Sequence, residues 1–202
     1  MAFPAAGELR VATLVARAFP SPSATPVRVF HEFRGDFRPQ VVLAVGAATG
    51  ADGRRWLRIE LPMRPNGRRG WVPAAAVDAR PVRLRVVVHR AARRLDLMRN
   101  GRRIFSTVVA VGAPGMETPL GHFYVTARFA PTDPFLGSFA FETSAYSKLS
   151  EWPGGGVVGL HGTSLPSLLG RAVSHGCVRM SNAAALVLKR YVTVGTLVDI
   201  SA

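Results

Sequence analysis

HGTSLPSLLGRAVSHGCVRM, residues 161–180, is the stretch on which the reading of this chain turns. It holds Cys177, the only cysteine in 202 residues. A lone cysteine cannot form an intramolecular disulfide, and a Gly-Cys step in a loop exposes a thiol instead of burying it. A single Cys with His residues elsewhere in the chain is a candidate nucleophile. The thiolate is the reactive form, and a neighbouring imidazole brings a thiol into its working range. Two plainer readings compete. A lone Cys is commonly a small buried hydrophobe, but His175, Gly176 and Arg179 are poor neighbours for a core position. His161, His175 and Cys177 offer three soft ligands, whereas a closed zinc site wants four, and His122 could be the fourth only through a fold that this spacing does not give. The reading therefore calls for no metal and no cofactor.

The same stretch closely resembles the signature of the L,D-transpeptidase catalytic domain, the YkuD family. That pattern is a His-Gly-Thr, a gap of a dozen residues or so, then Ser-His-Gly-Cys, a small apolar residue and Arg or Asn. Here it reads His161-Gly162-Thr163, then Ser174-His175-Gly176-Cys177-Val178-Arg179-Met180, with Pro166 and Gly170 where the family often has them. Thr118-Pro119-Leu120-Gly121-His122-Phe123-Tyr124 is similar to the family's Thr-Pro-x-Gly stretch before a strand, and Gly195-Thr196-Leu197-Val198 to its closing strand. The resemblance covers residues 82–202 and implies a β-sandwich catalytic domain.

By that resemblance Cys177 is the nucleophile and His161 the general base that later returns the proton. His161 ends an apolar strand, and Cys177 follows 16 residues later, so the intervening loop can fold back and bring thiol and imidazole together. Family members often orient this histidine through the next residue. Here that residue is Gly162, which has only its carbonyl to give. Acyl transfer needs preset donors for an oxyanion; the backbone N–H groups of Gly176 and Cys177 are candidates, with that of His175 nearby. Gly176 permits the tight turn. His175 itself has a structural or supporting role. Arg179 is suited to a substrate carboxylate, or else to a salt bridge holding the loop. Ser174 and Thr163 hydrogen-bond the loop backbone and are grouped with Arg179 on the substrate-binding side.

The substrate is likewise an implication of the resemblance. The donor is a peptidoglycan tetrapeptide stem, attacked at its third residue with loss of D-alanine. A side-chain amine of another stem gives a 3→3 cross-link, and water gives an L,D-carboxypeptidase instead. A cell-wall cysteine peptidase of the NlpC/P60 type is disfavoured, because there Cys precedes His. A non-catalytic wall-binding protein is disfavoured by the intact His161, Gly176 and Cys177. Nucleic-acid binding has only charge behind it, without interleaved basic and aromatic residues on a recognisable motif.

Outside this region the chain reads as mainly β. Residues 1–24, rich in Ala, Pro and Ser, read as a tail or linker. Residues 25–80 show short strands and turns. Trp56-Leu57-Arg58 and Gly70-Trp71-Val72 resemble a bacterial SH3-like domain, a small β-barrel whose tryptophans mainly pack a core. Asn66-Gly67 and Asn100-Gly101 are two-residue hairpin signals. Ser181 or Asn182 caps a short helix over 183–191 that ends on Lys189 and Arg190.

The net charge is +14, and residues 1–103 carry 20 of the 24 Arg against 7 acids. That excess points away from the reactive half and suggests anionic wall polymers as partners. No apolar run approaches the roughly 18 residues of a membrane span. Glu8, Arg10 and Arg17 interrupt any N-terminal secretory signal, so the extracytoplasmic location implied by the resemblance rests on information outside this stretch.

Overall fold

The computed structural model of the chain describes residues 2–151 and 153–202. It divides into two compact units, Met1–Pro62 with Gly67–Val82, and Met63–Asn66 with Arg83–Ala202. Both are built mainly of β-strands.

The first unit holds β1 (Ala5–Leu9), β2 (Thr13–Arg17), β3 (Pro26–His31), β4 (Val41–Thr49), β5 (Arg55–Glu60), β6 (Arg69–Pro73) and β7 (Val77–Pro81) in one sheet, ordered β3-β2-β6-β5-β4-β1-β7. The expected tail over 1–24 is thus corrected. β1 lies between β4 and β7, antiparallel to both, and β2 lies between β3 and β6. The buried face of this stretch is made by Ala5, Leu9, Leu14 and Ala16. Half of that face is alanine, a residue depleted in strands, so the period-two pattern is muted in the sequence. Gly7 is needed where it stands: a Cβ there would lie 2.1 Å from the Asp78 carbonyl oxygen. Trp56 is a core residue, 2% exposed, with its Nε1–H donated to Asp52 (3.0 Å). Trp71 is half-buried, with the Arg58 guanidinium 6.0 Å from its ring centre.

The second unit runs β8 (Leu84–His89), β9 (Arg94–Arg99), β10 (Arg102–Val108), β11 (Val111–Gly112), β12 (Gly121–Phe129), β13 (Ala140–Tyr146), β14 (Val157–His161), β15 (Ala172–Ser174), β16 (Val178–Arg179), α1 (Asn182–Tyr191) and β17 (Leu197–Ser201). Eight of the strands form a sheet ordered β10-β9-β8-β17-β12-β13-β14-β16, and β11 pairs with β15. β12 joins the two halves. Its first residues, 121–124, pair with β17, and from Val125 on it pairs with β13, with a register shift between Val125 and Ala127. A bulge of this kind bends a strand, and the halves close as a sandwich around one core. Val86, Leu97, Phe123, Phe141, Leu160, Met180 and Leu188 all belong to that core.

The two Asn-Gly steps diverge. Asn100 (φ 50°) and Gly101 (φ 77°) make the expected two-residue turn between β9 and β10. Asn66-Gly67 sits instead in a longer connection, with only Gly67 at positive φ (81°). Asn66 groups with the second unit, where its side chain pairs with the end of β13. Its Nδ2 donates to the Tyr146 carbonyl (2.8 Å) and its Oδ1 accepts from the Tyr146 N–H (2.9 Å).

The charge also divides differently from the chain halves. The first unit holds eleven Arg and six acids, +5, and the second thirteen Arg, two Lys and six acids, +9. Eight of the arginines counted with the N-terminal half lie at 83–103, on β8, β9, the start of β10 and their connections in the second unit.

Helix α1 begins where its sequence directs. Ser181 is the N-cap, accepting from the Ala184 N–H (3.1 Å). Ala184, Ala185 and Leu188 face the core, and Lys189 and Arg190 occupy the last turn, where the helix dipole favours cations. Ser181→Ala is expected to cost about 0.5–2 kcal/mol of stability, read as a lower urea midpoint at unchanged slope. An unchanged midpoint would mean the cap contributes nothing.

Candidate active site

The site is assembled by two strand pairings. β14 runs antiparallel to β13, with Ala140 opposite His161, and parallel to the two-residue β16, with Leu160 opposite Val178 and His161 opposite Arg179. Cys177 immediately precedes β16 and so lies beside Gly159. The Gly159 N–H donates to the Cys177 Sγ (3.3 Å). Gly159 and His161 are two residues apart on one strand and share a face. A Cβ at Gly159 would stand 3.8 Å from the Cys177 Sγ and 3.7 Å from the His161 Cδ2, the ring carbon bonded to Nε2. Thiol and imidazole therefore flank the same small space, which exists because residue 159 has no side chain.

His161 is 2% exposed, and its Nδ1 lies 2.6 Å from the Gly162 carbonyl oxygen. A carbonyl can only accept, so Nδ1 carries the proton and Nε2 keeps its lone pair. The orienting group is the backbone of the next residue. Asn182 explains why no side chain serves there. Its Oδ1 accepts the N–H groups of Ser138 (2.9 Å) and Thr163 (3.2 Å), and a Cβ at Gly162 would lie 2.3 Å from that oxygen. Thr163 is buried and accepts the Leu165 N–H on Oγ1 (3.0 Å), so it fastens the loop after the histidine.

Ser174 fastens the loop before the cysteine. It is fully buried, donates to the Cys177 carbonyl (2.5 Å) and accepts the Gly176 N–H (3.1 Å). Gly176 has φ 117°, and a Cβ there would come within 2.8 Å of the Ser147 Cβ. Both turn and space demand glycine. Its N–H, a candidate oxyanion donor from sequence, is engaged by Ser174 in this structure. His175 is half-buried on the same turn.

Arg179 is 6% exposed, with its guanidinium 4.6 Å above the centre of the Phe135 ring. Its Nε has no hydrogen-bond partner, and among the described residues no carboxylate forms an ion pair with it. The loop salt bridge considered for it from sequence is absent among those residues. A cation buried in this way costs free energy unless something pairs with it.

Burial governs the titration of all three groups. It lowers the His161 pKa against the opposing pull of the Gly162 carbonyl, and Arg179 lowers it further. It raises the Cys177 pKa against the Gly159 N–H and the Arg179 charge. It lowers the Arg179 pKa. Imidazolium and thiolate are both disfavoured, so the resting pair is neutral thiol beside neutral imidazole. Sequence reasoning located His161, Thr163, Ser174, Gly176, Cys177 and Arg179, which this loop system brings together. It missed Gly159, Phe135 and Ser147, and saw Asn182 only as a possible helix cap. Their contributions are steric or made through single backbone contacts, and such roles leave no pattern in one sequence.

The model of the L,D-transpeptidase catalytic domain family, YkuD, matches residues 83–200, and the chain belongs to that family. It is 34% identical over 117 residues to the YkuD protein of Bacillus subtilis strain 168, a match covering 57% of this chain and 65% of that protein. With the YkuD protein of Bacillus licheniformis it shares 35% identity over 118 residues, 58% of this chain and again 65% of the relative. The chain thus spans just under two thirds of these relatives. Among solved structures, L,D-transpeptidase 3 from Mycobacterium tuberculosis with a faropenem-derived adduct has the same fold. It has a TM-score of 0.54 at 14% identity over 81% of this chain and 91% of that one.

Two outcomes follow from the geometry. Gly159→Ala should be tolerated, since its contacts would be ordinary ones, whereas Gly159→Leu fills the space between thiol and ring. Iodoacetamide labelling of Cys177, followed by mass spectrometry, should slow by about 10²-fold in the leucine variant; equal rates in the two variants would remove the role given to that space. In a pH profile of the same labelling, the thiolate limb should lie at alkaline pH, because the Cys177 pKa is raised, and the imidazole-assisted plateau beneath it should be lost only below about 6.5, the ordinary imidazole value. The His161 shift is downward, and a protonated Nε2 can no longer accept the thiol proton. Loss of that plateau, absent in His161→Ala, at a midpoint above about 6.5 would contradict it.

Proposed function

We propose that the chain is a peptidoglycan L,D-transpeptidase working through a Cys177 acyl-enzyme. The observation that carries this is the arrangement around Gly159. The tautomer of His161 is fixed by the Gly162 carbonyl (2.6 Å), and the Nε2 side of its ring faces the same space as the Cys177 Sγ.

The donor is a tetrapeptide stem. As Sγ attacks the carbonyl carbon of its third residue, the thiol proton passes to Nε2 and the carbonyl oxygen becomes an oxyanion. The Cys177 N–H is the candidate donor to that oxygen, and the Gly176 N–H joins it only if released by Ser174. Collapse breaks the C–N bond, and the imidazolium gives its proton to the departing D-alanine amine. A side-chain amine of a second stem then attacks the thioester, His161 takes its proton, and the thiol is regenerated with a 3→3 cross-link. Because both resting groups are neutral, the base must act during attack. Arg179 is suited to a carboxylate of the stem, since a buried guanidinium without an anion gains most from acquiring one. This activity places the protein outside the cytoplasm. We read the first unit as an SH3-like accessory module and the basic surface as a contact for anionic wall polymers.

Incubation with a disaccharide-tetrapeptide and mass spectrometry of the products tests the reading. A cross-linked dimer supports it, a tripeptide product makes the enzyme an L,D-carboxypeptidase, and no product leaves a wall-binding protein. A carbapenem should add covalently to the chain, and Cys177→Ala should abolish both adduct and turnover. His161→Ala should slow acylation by about 10²–10⁴-fold. Adduct formation on Cys177→Ala would defeat the assignment.

A further inference from the structure

β10 is the terminal strand of the eight-stranded sheet, paired only with β9. Its seven residues leave an edge of backbone donors and acceptors without a strand partner among the described residues. The Val109 N–H donates to the Arg93 carbonyl (2.8 Å), which makes Val108 and Arg94 a wide pair in the antiparallel ladder. By alternation, Val108 and Ser106 turn their N–H and C=O groups away from β9. Ile104 is 43% exposed and Val108 56%.

Natural proteins cover or shorten such edges, or repel other strands from them with charge. Here the charge has one sign. Residues 83–103 carry eight Arg and one acid, Asp96. Asp96 is already engaged by Ser106 (2.6 Å), His89 (3.1 Å), Arg94 (3.3 Å) and, more distantly, Arg103 (3.8 Å). Arg83 and Arg102 have no carboxylate partner among the described residues. A second copy of β10 paired antiparallel would set Arg102 and Arg103 against the Thr107–Val108 end of its partner and supply neither with an anion. An anionic polymer without amides would satisfy the arginines and leave the backbone groups unpaired. An extended polypeptide rich in Asp or Glu satisfies both.

We propose that the outer edge of β10 docks an extended acidic segment of another protein, which adds to the sheet as a further strand. The proposal is independent of the reaction assigned to Cys177. Main-chain bonds to Ser106 and Val108 hold the segment. Its acidic side chains meet Arg102 and Arg103, and its apolar ones meet Ile104 and Val108.

The test uses the full chain and a fluorescein-labelled octapeptide of alternating Glu and Val at neutral pH, followed by anisotropy. A Glu-Pro alternating peptide is the probe of equal charge that cannot form a strand. The Glu-Val peptide should bind at least about tenfold more tightly than the Glu-Pro peptide, with binding weakened by salt. Ser106→Ala and Ser106→Pro both lose the bond to Asp96, but only the proline removes the outward N–H, and edge strands tolerate proline. Ser106→Pro should therefore weaken binding by about tenfold relative to Ser106→Ala. The double variant Arg102→Glu with Arg103→Glu should weaken it as much, and it provides a measurement should the proline variant fail to fold. Equal affinity for the two peptides, or no effect of the double reversal, would reduce the edge to a repelling surface. Equal binding by a folded Ser106→Pro and Ser106→Ala would do the same.

Discussion

The second unit's chemistry depends on a parallel pairing only two residues long. Leu160 faces Val178 and His161 faces Arg179, and from that register everything else at the site follows. It puts Cys177 beside Gly159 and Arg179 beside His161. Parallel neighbours need a crossover of a dozen or more residues, and residues 162–177 are that crossover. A ladder so short cannot hold a crossover by itself. Its ends are fixed by Ser174 on one side and by Asn182 with Thr163 on the other, each spending a buried side chain on backbone groups of the loop. The motif is therefore as much a set of clamps as a set of reactants.

Electrostatics around this pairing run against charge separation. Among the described residues no carboxylate bonds to the imidazole; its Nδ1 proton goes to a carbonyl. The strongest local charge is Arg179, which favours a thiolate and opposes an imidazolium. The same cation thus helps one half of an ion pair and hinders the other, and burial disfavours both. Arg179 resting on Phe135 is stabilised by the ring face, which offsets only part of the cost of its burial. An arriving anion would change the balance for all three groups together.

Much of this could be read in the residues. Cys177 is unique, His161 ends an apolar strand, and Ser181 starts a helix with basic residues at its far end; each is a rare residue or a local signal with a local cause. Asn100-Gly101 makes its two-residue turn, and among the described residues no distant group holds the Asn100 side chain. Asn66-Gly67 does not, because the Asn66 amide bonds to Tyr146, 80 residues away, and no local rule sees such a partner. β1 and β2 were hidden by alanines, whose burial depends on how closely strands approach. The arginines at 83–103 were visible, but assigning them to a unit required knowing that β8 and β9 belong with β17. Gly159 matters for an atom it lacks, and Asn182 for a side chain reaching two loops.

The contact between Asn182 and residue 162 also limits how this sequence can change. A side chain at 162 meets the Asn182 oxygen, and one at 137 meets it too, at 2.2 Å. Gly137 is held a second way, by its φ of 68° and by the Gly162 and Thr163 backbone at 2.5 Å, whereas at 162 the Asn182 oxygen is much the tightest contact. Substitutions at 162 and 182 are therefore expected to be strongly epistatic, while position 137 should stay glycine whatever stands at 182.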